Sequence, residues 1–306
     1  MAKSMDIDVC SIAFIGLGEA ASAIISGWGD HRNKQVQAFD IKLHESDTKE
    51  EIISRASKLK IGLKSSLKDI VRDADLIFST VTADQALTVA REASSFMRDK
   101  AYFFDLNSSA PSSKQRSCKS IEASGGCYVD VAVMAPVSAK KNLVPLLISG
   151  GEASSALAAL EKLPMNARVI DGPVGRASSI KMVRSIMVKG LEALTAECAI
   201  AAIEADVLDE VFVSLSEGHP YFDISTHAMY NLERSLSHGK RRAEELKEAS
   251  KMLDDLGLIN HMSRAAAIWQ KKLGLLEKPT SISDIKSEFQ SFAKQLSTDL
   301  REMKEK

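Results

Sequence analysis

The sequence predicts two domains: an α/β domain with a parallel sheet over residues 1–175, and an all-α domain over residues 176–306. Three observations lead to this prediction. A chain of 306 residues exceeds the size at which a single core stops growing. Before residue 175, short runs of β-branched and aromatic residues alternate with amphipathic segments. After it, the chain is rich in Ala, Leu, Glu and Lys and shows no strand pattern.

The strands of the α/β domain are predicted from six short apolar runs. They read SIAFIG, VQAFD, DLIFSTV, AYFFDLN, CYVDVAVM and VPLLISGG. Between them, segments such as SLKDIVRDA and ADQALTVAREASSFM place apolar residues three and four apart, which is typical of helices that cover a sheet. The alternation predicts a parallel sheet with helices on both faces.

The all-α domain is predicted from long segments such as SIKMVRSIMVKGLEALTAECAIAAIEA and GKRRAEELKEASKMLDDLG. In the second, Lys240, Arg241 and Arg242 stand where we expect a helix to start. A basic run of this kind is typical of a solvated face, or pairs with Glu244 and Glu245 at i+3 and i+4. If it points into a cleft, it would bind a carboxylate or a phosphate.

Composition excludes several classes of function. Lys and Arg number 40 and Asp and Glu 41, a net charge of −1, so no global field attracts nucleic acid or an anionic membrane. The cysteines are far apart and the histidines show no ligand spacing, so we expect no metal site and reduced thiols. No signal peptide and no run of roughly 20 apolar residues is present, so we expect a soluble, cytoplasmic protein.

The first strand run is followed directly by a glycine motif. Gly16, Gly18 and Ala21 fit G-x-G-x-x-A between a strand and a helix, the pattern of a Rossmann-type dinucleotide-binding domain. Gly16 would allow a tight turn, Gly18 would let a pyrophosphate approach the backbone, and Ala21 would permit close helix packing. The predicted cofactor loop is Gly16, Leu17, Gly18, Glu19, Ala20 and Ala21; a simple structural turn is the alternative.

The choice of dinucleotide depends on the residue that ends the second strand. Asp40 lies about 20 residues after the motif, where an acid accepts hydrogen bonds from a ribose 2′-hydroxyl. Its charge would repel a 2′-phosphate and favours NAD, but Lys42 could compensate for a phosphate. NAD is slightly favoured and NADP stays open.

Three further segments, in order, resemble the β-hydroxyacid dehydrogenases. DLNSSAP, residues 105–111, resembles D-x-S-T-x-x-P. YVDVAVMAPVSAKKNLVPLLISGG, residues 128–151, resembles D-A-P-V-S-G-G and the strand after it, and GPVGRASSIKMVRS, residues 172–185, resembles G-x-x-G-x-G-x-x-x-K-x-x-x-N. Together with the glycine motif, these three segments occur in the same order as in the family, and the resemblance covers roughly the first 200 residues. The family includes 3-hydroxyisobutyrate and 6-phosphogluconate dehydrogenases.

The resemblance implies a catalytic group at Lys181, the lysine of the last segment. A neutral amine would take the hydroxyl proton in oxidation, and the ammonium would return it in reduction. Arg184, at i+3, would disfavour the charged lysine by like-charge repulsion. Ser185 stands where the family has Asn and could still donate a hydrogen bond to the substrate.

The resemblance also implies residues around the cofactor and the substrate. The cofactor candidates are Ser108, Val81 and Lys240, and the substrate candidates are Asn107, Ser138, Ala139 and Lys140. The last three replace the family's Ser-Gly-Gly, which adds bulk and one positive charge to the substrate loop. Ser108 and Asn107 could instead be turn caps before a proline.

The function implied is hydride transfer between NAD or NADP and a small anionic hydroxy acid, with Lys181 as general acid and base. One alternative is oxidative decarboxylation of a sugar acid, which Val188 disfavours because the corresponding glutamate of 6-phosphogluconate dehydrogenase is the proton donor. A second is a nucleotide-binding sensor that has lost turnover. Imine-reducing relatives often lack the lysine, so Lys181 opposes that chemistry. Wide apolar helix faces in the second domain predict a homodimer.

Overall fold

The structure, a computed structural model, describes residues 11–29, 35–218, 224–276 and 297–298. The chain divides into two compact units, Met1–Lys181 and Met182–Lys306. This division falls six residues inside a long helix that begins at Arg176, next to the boundary expected at residue 175. The assignment of the two parts as dinucleotide-binding and substrate domains stays a prediction.

In the described residues, eight strands form one sheet in the order β3-β2-β1-β4-β5-β6-β7-β8. The strands are β1 (Ser11–Ile15), β2 (Gln35–Phe39), β3 (Gly62–Leu63), β4 (Leu76–Ser79), β5 (Tyr102–Asp105), β6 (Cys127–Val133), β7 (Leu146–Ser149) and β8 (Ala167–Val169). The sequence did not reveal β3 and β8, which have two and three residues, because a pattern of period two needs a longer run.

One strand pair departs from the predicted parallel sheet, because β6 and β7 are antiparallel. A parallel connection needs a crossover of a dozen or more residues, which is usually a helix. The segment between β6 and β7 contains only a four-residue helix, Val137–Lys140, and a short 3-10 turn, Lys141–Leu143. The chain therefore turns back, and Ser149 of β7 comes to lie opposite Asp130 of β6.

Helices connect these strands and then form the second part of the chain. The first seven are α1 (Glu19–Gly27), α2 (Ser46–Leu59), α3 (Leu67–Val71), α4 (Ala86–Ser94), α5 (Pro111–Ala123), α6 (Val137–Lys140) and α7 (Ala153–Lys162). They are followed by α8 (Arg176–Glu204), α9 (Leu208–Gly218), α10 (Ile224–Asp255) and α11 (His261–Leu273). The described part of the chain after Gly175 contains no strand, as the sequence predicts.

The first unit has an apolar core on each face of its sheet. In β1, Phe14 belongs to one core cluster and Ile15 to the other, because successive side chains of a strand point to opposite faces. On one face, Phe14, Phe78 and Phe104 occupy matching positions of three adjacent strands, with ring centroids 5.0 and 4.8 Å apart. A sheet buried on both faces is the reason why its strands read as continuous apolar runs.

The second unit contains a long helix where the sequence predicted a helix start. That prediction is wrong: Lys240 lies in the middle of α10. The glycine before it, Gly239, lies inside the same helix. There α10 and α11 cross so closely that a Cβ on Gly239 would overlap the Gln270 carbonyl oxygen and lie 2.7 Å from the Gly274 nitrogen. Gly239 permits a helix contact and does not end the helix.

Two buried ion pairs join α8 to α10. Lys189 lies 2.6 Å from Glu245, and Arg242 pairs with Glu192. Burial lowers the pKa of Lys189 and of Arg242, since removal from water disfavours their charged forms. Arg241 is exposed and lies 3.5 Å from Glu245, so the pairing considered for the basic run is present at i+4.

Two glycines of the second unit should respond oppositely to the same substitution. Gly239→Ala should lower the free energy of unfolding by about 1–3 kcal/mol, because the new methyl group must push α10 and α11 apart. Gly190→Ala in α8 should raise it by roughly 0.5–1 kcal/mol, since nothing lies within 4 Å of the added Cβ and alanine favours a helix. Chemical denaturation measures the free energy of unfolding of both variants. Changes of the same sign and size in the two variants would contradict the close helix crossing.

Candidate functional site

The glycine loop lies at the carboxyl end of β1, where the strand order turns. Strand β1 has β2 on one side and β4 on the other, and ligands of such sheets bind outside this point. Gly16 has a φ of +88°, and a Cβ there would lie 2.7 Å from the Thr80 carbonyl oxygen and 3.3 Å from the side chain of Val81. Only glycine fits this position, and the predicted cofactor residue Val81 lies beside it.

Gly18 is a glycine for a different reason. Its φ is −80°, and a Cβ there would meet no atom within 4 Å, so the protein's own packing does not require glycine. Gly18 is the residue before α1, and the first-turn N–H groups of that helix have no intrahelical acceptor. Open space in front of a helix N-terminus fits the approach of a phosphate. Ala21 is fully buried, as close helix packing requires.

The backbone of Leu17, within the glycine loop, is held by two charged side chains. Asp40 accepts a hydrogen bond from the Leu17 N–H at 2.8 Å, and its other oxygen accepts from the Lys42 N–H at 3.0 Å. Arg55 of α2 donates to the Leu17 carbonyl oxygen at 2.6 Å and pairs with Glu51. Arg55 was not found from the sequence, because an arginine on an amphipathic helix carries no signal of such a contact.

A second edge of the site is the loop after β5, which Asp105 organises. The Asn107 backbone and side-chain N–H groups donate to one carboxylate oxygen of Asp105, at 3.0 and 2.7 Å. The Asn107 amide also donates to Ser79 at 2.9 Å, and Tyr128 donates to the second Asp105 oxygen at 2.6 Å. Both amide donors of Asn107 are thus used, and its buried Oδ1 has no partner in the part of the chain that the structure describes.

Beneath this loop lies a fully buried lysine that the sequence did not reveal. Lys114 of α5 donates to the Asp105 carbonyl oxygen at 2.6 Å and lies 3.0 Å from the Asp105 carboxylate. Its Nζ is also 3.5 Å from Asp130, the register partner of Asp105 on β6. Because buried charges are costly unless they are paired and hydrogen-bonded, Lys114 makes this pair of neighbouring aspartates possible.

Asp130 in turn holds the beginning of α8. One of its oxygens accepts from the backbone N–H groups of Gly175 and Ser178 at 3.0 and 3.1 Å, and from Ser149 at 3.0 Å. The other accepts from the Ser178 hydroxyl at 2.6 Å. A carboxylate at a helix N-terminus satisfies N–H groups that lack intrahelical partners and interacts favourably with the helix dipole.

The structure brings Lys181 and Ser108 together, two residues that the sequence singled out. The Nζ of Lys181 donates to Ser108 Oγ at 2.5 Å, across 73 residues of sequence. Both side chains are half-buried. The lysine lies one helical turn beyond Ser178, and the serine follows Asn107, so the two are placed by α8 and by the β5 loop.

The other candidate residues lie on helices α6, α8 and α10. Ser138, Ala139 and Lys140 form most of α6 and are exposed. Of the candidates in the second unit, Ser185 is buried, Arg184 is exposed, and Lys240 is exposed on α10. The structure does not assign a contact to a ligand for any of them.

The described residues hold neither a metal-binding cluster nor a membrane-spanning helix. No cluster of His, Cys, Asp and Glu side chains there could hold a metal ion. Nor does any helix in those residues combine the length and the apolarity needed to cross a membrane.

Two family models match parts of the chain. Residues 11–102 match the model described as NADP oxidoreductase, coenzyme F420-dependent. Residues 202–273 match a domain of unknown function, DUF1932. The first match includes the glycine loop, Asp40 and Val81, and the second covers α9, α10 and α11.

Relatives extend over most of the chain. A 28.5 kDa protein of Methanothermus fervidus is 30% identical over 244 residues, which are 79% of this chain and 90% of that protein. The structure of a conserved hypothetical protein from Sinorhizobium meliloti is 32% identical, with a TM-score of 0.75 and coverage of 96% of this chain and 99% of that one. The conserved protein MTH1747, described as structurally similar to 3-hydroxyacid dehydrogenases, is 29% identical, with a TM-score of 0.66 over 86% and 96% of the two chains.

The chain belongs to the β-hydroxyacid dehydrogenase family. A Mycobacterium tuberculosis 3-hydroxyisobutyrate dehydrogenase shares its fold at 16% identity, with a TM-score of 0.70 over 94% of this chain and 99% of that one. β-Hydroxyacid dehydrogenases are oxidoreductases that use nicotinamide dinucleotides, NAD or NADP.

The residues of the glycine loop fit such a cofactor. Gly16 has a backbone conformation that other residues rarely adopt, and Gly18 leaves open the space that a Cβ would fill. Asp40 stands at the carboxyl end of β2, next to the loop. Together Gly16, Gly18 and α1 would hold the pyrophosphate, and Asp40 the adenosine ribose.

Proposed function

We propose that this protein transfers a hydride between a nicotinamide dinucleotide and a small hydroxy acid, with Lys181 as general acid and base. The observation that supports this most is the hydrogen bond from Lys181 to Ser108. The Lys181 amine belongs to the same unit as the glycine loop, which follows the carboxyl end of β1. A small anionic substrate is consistent with the family and with the exposed charge of Lys140.

In oxidation, Lys181 acts as the base. Its neutral amine removes the proton of the substrate hydroxyl. The dinucleotide, held by the glycine loop, would accept the hydride of the adjacent carbon, which leaves a carbonyl. In reduction, the ammonium of Lys181 returns that proton to the oxygen. Ser108 fixes the position of Nζ by accepting its hydrogen bond. Ser185, one turn further along α8, would orient the substrate by a hydrogen bond.

Replacing the base should remove turnover and spare cofactor binding. Lys181→Ala should lower kcat about 10²–10⁴-fold, the usual contribution of general acid–base catalysis. The Kd for the dinucleotide, measured by calorimetry, should stay unchanged. Lys119→Ala, an exposed lysine of α5, is the control for the loss of a lysine and should keep full turnover. Equal turnover by wild type and Lys181→Ala would refute the assignment.

We further propose that NAD is the preferred cofactor. The carboxylate of Asp40 is fixed by the backbone N–H groups of Leu17 and Lys42, so its negative charge is held beside the loop. A 2′-phosphate at this place would meet like charge, whereas a 2′-hydroxyl would donate to the carboxylate. The backbone N–H of Lys42 donates to Asp40, and the exposed Lys42 side chain could pair with a 2′-phosphate, so NADP is the alternative.

Calorimetric titration with NADH and NADPH tests the cofactor preference. The wild-type protein should bind NADH more tightly than NADPH, and Asp40→Ser should narrow that difference by about tenfold, because the repulsive charge and its acceptor are lost. Asp47→Ser removes an acid from the exposed first turn of α2 and should leave both affinities unchanged. Tighter binding of NADPH by the wild type would refute the preference for NAD.

We also propose that the chain forms a homodimer through one face of α8. Five exposed apolar side chains of this helix recur three and four residues apart: Ile180, Val183, Met187, Leu191 and Leu194. The opposite side of α8 is buried within the chain, so this apolar face is the side that a second copy could cover. One patch that meets the same patch of a second copy is the usual geometry of a two-fold interface.

Light scattering at micromolar concentration tests the dimer. The wild type should have the mass of two chains, and Met187→Asp should have the mass of one, since a carboxylate in the interface would be buried without a partner. Met262→Asp changes another exposed methionine, on α11, and should remain dimeric. A monomeric wild type would overturn the proposal.

A further inference from the structure

We propose that Asp130 is a positioning residue for Lys181: it fixes the first turn of α8, and thereby the place at which the lysine amine meets Ser108. The proposal rests on the proposed role of Lys181 in proton transfer. Asp130 itself is fully buried and acts through Ser178 rather than through contact with a substrate or cofactor.

The first reason is that the start of α8 depends on a distant residue. A helix N-terminus is usually capped by a side chain immediately before it. Here two backbone N–H groups, of Gly175 and Ser178, and the Ser178 hydroxyl all donate to Asp130, which lies 45 and 48 residues earlier in the sequence. The helix therefore starts at a place set by β6.

The second reason is that the carboxylate is itself held rigidly. Asp130 lies within β6, and its register partner on β7, Ser149, donates to it at 3.0 Å. The same Ser149 oxygen accepts the backbone N–H of Ala177, another first-turn residue of α8, at 3.0 Å. Strand positions are more precise supports than loops, so the first turn is fixed from two adjacent strands.

The third reason is that both partners of the Lys181–Ser108 bond depend on neighbouring aspartates. Asp105 orders the loop that contains Ser108, and Asp130 orders the helix that contains Lys181. The two aspartates are paired in register, and Lys114 lies between their carboxylates. A shift of either aspartate would change the distance between the amine and the hydroxyl.

The test compares variants that weaken the Asp130 contacts at the start of α8 with a variant that removes the cap of another helix, α3. Asp130→Asn removes the charge and reverses part of the hydrogen bonding, and Ser178→Ala removes one bond and provides a result if the first variant does not fold. Ser66→Ala is the matched control, because Ser66 caps α3 in the same unit with the same kinds of bonds, to the Asp69 N–H and carboxylate. All are measured as the full chain.

Steady-state kinetics give the first measurement. Since a misplacement of about 1 Å can cost about 100-fold in rate, Asp130→Asn should lower kcat about 100-fold and Ser178→Ala about tenfold, with KM and the dinucleotide Kd within about threefold of wild type. Ser66→Ala should lower the unfolding midpoint alone. If the cap variants lose stability but keep kcat, Asp130 has a structural role only, and the proposal is overturned.

The second measurement needs no substrate. Trace acetylation with acetic anhydride, followed by peptide mass spectrometry, gives the ratio of modification at Lys181 to that at the exposed Lys119. This ratio should rise about threefold or more in both cap variants, because a frayed first turn exposes the lysine, and stay constant in Ser66→Ala. A constant ratio in all variants would overturn the proposal. Failure of Lys181→Ala to affect turnover would refute the proposed function instead.

Discussion

The site depends on one electrostatic constraint: two aspartates stand side by side on neighbouring strands, fully buried, with a lysine between them. Lys114 and the surrounding hydrogen bonds offset the cost of burying the carboxylates of Asp105 and Asp130 side by side. Each aspartate also uses its oxygens to hold a different piece of backbone. Lys114 thus supports both the loop after β5, which Asp105 holds, and the start of α8, which Asp130 holds.

The two ends of the site are built by opposite means. At the glycine loop, the absence of a side chain is what matters. It permits the positive φ of Gly16, and it leaves open space at Gly18. At the lysine end, the arrangement depends on side chains that meet each other, since Lys181 reaches Ser108 and both are held by acids. A side chain added at Gly18 would therefore fill open space, whereas a substitution in the charge cluster would displace a neighbour.

Much of this could be predicted from the sequence, for reasons tied to particular residues. The glycine loop could be predicted because Gly16 has a positive φ and lies close to the Thr80 carbonyl oxygen. Both conditions exclude a side chain and require a glycine in the sequence. Lys181 and Ser108 were found through motifs. Lys114 and Arg55 were missed because a lysine or arginine on an amphipathic helix looks the same whether it is solvated or buried against a backbone oxygen. The helix start predicted at Lys240 is wrong, because a glycine such as Gly239 occurs at helix boundaries and also where two helices cross closely.

The antiparallel strand β7 has a consequence for the order of events in folding. Because the chain turns back after β6, the hydroxyl of Ser149 reaches Asp130 and Ala177 only once β6 and β7 have paired. The contacts that start α8 span up to 48 residues, and such contacts form after local ones because long loops must close first. Lys181 should accordingly take its place beside Ser108 only after β6 and β7 have paired.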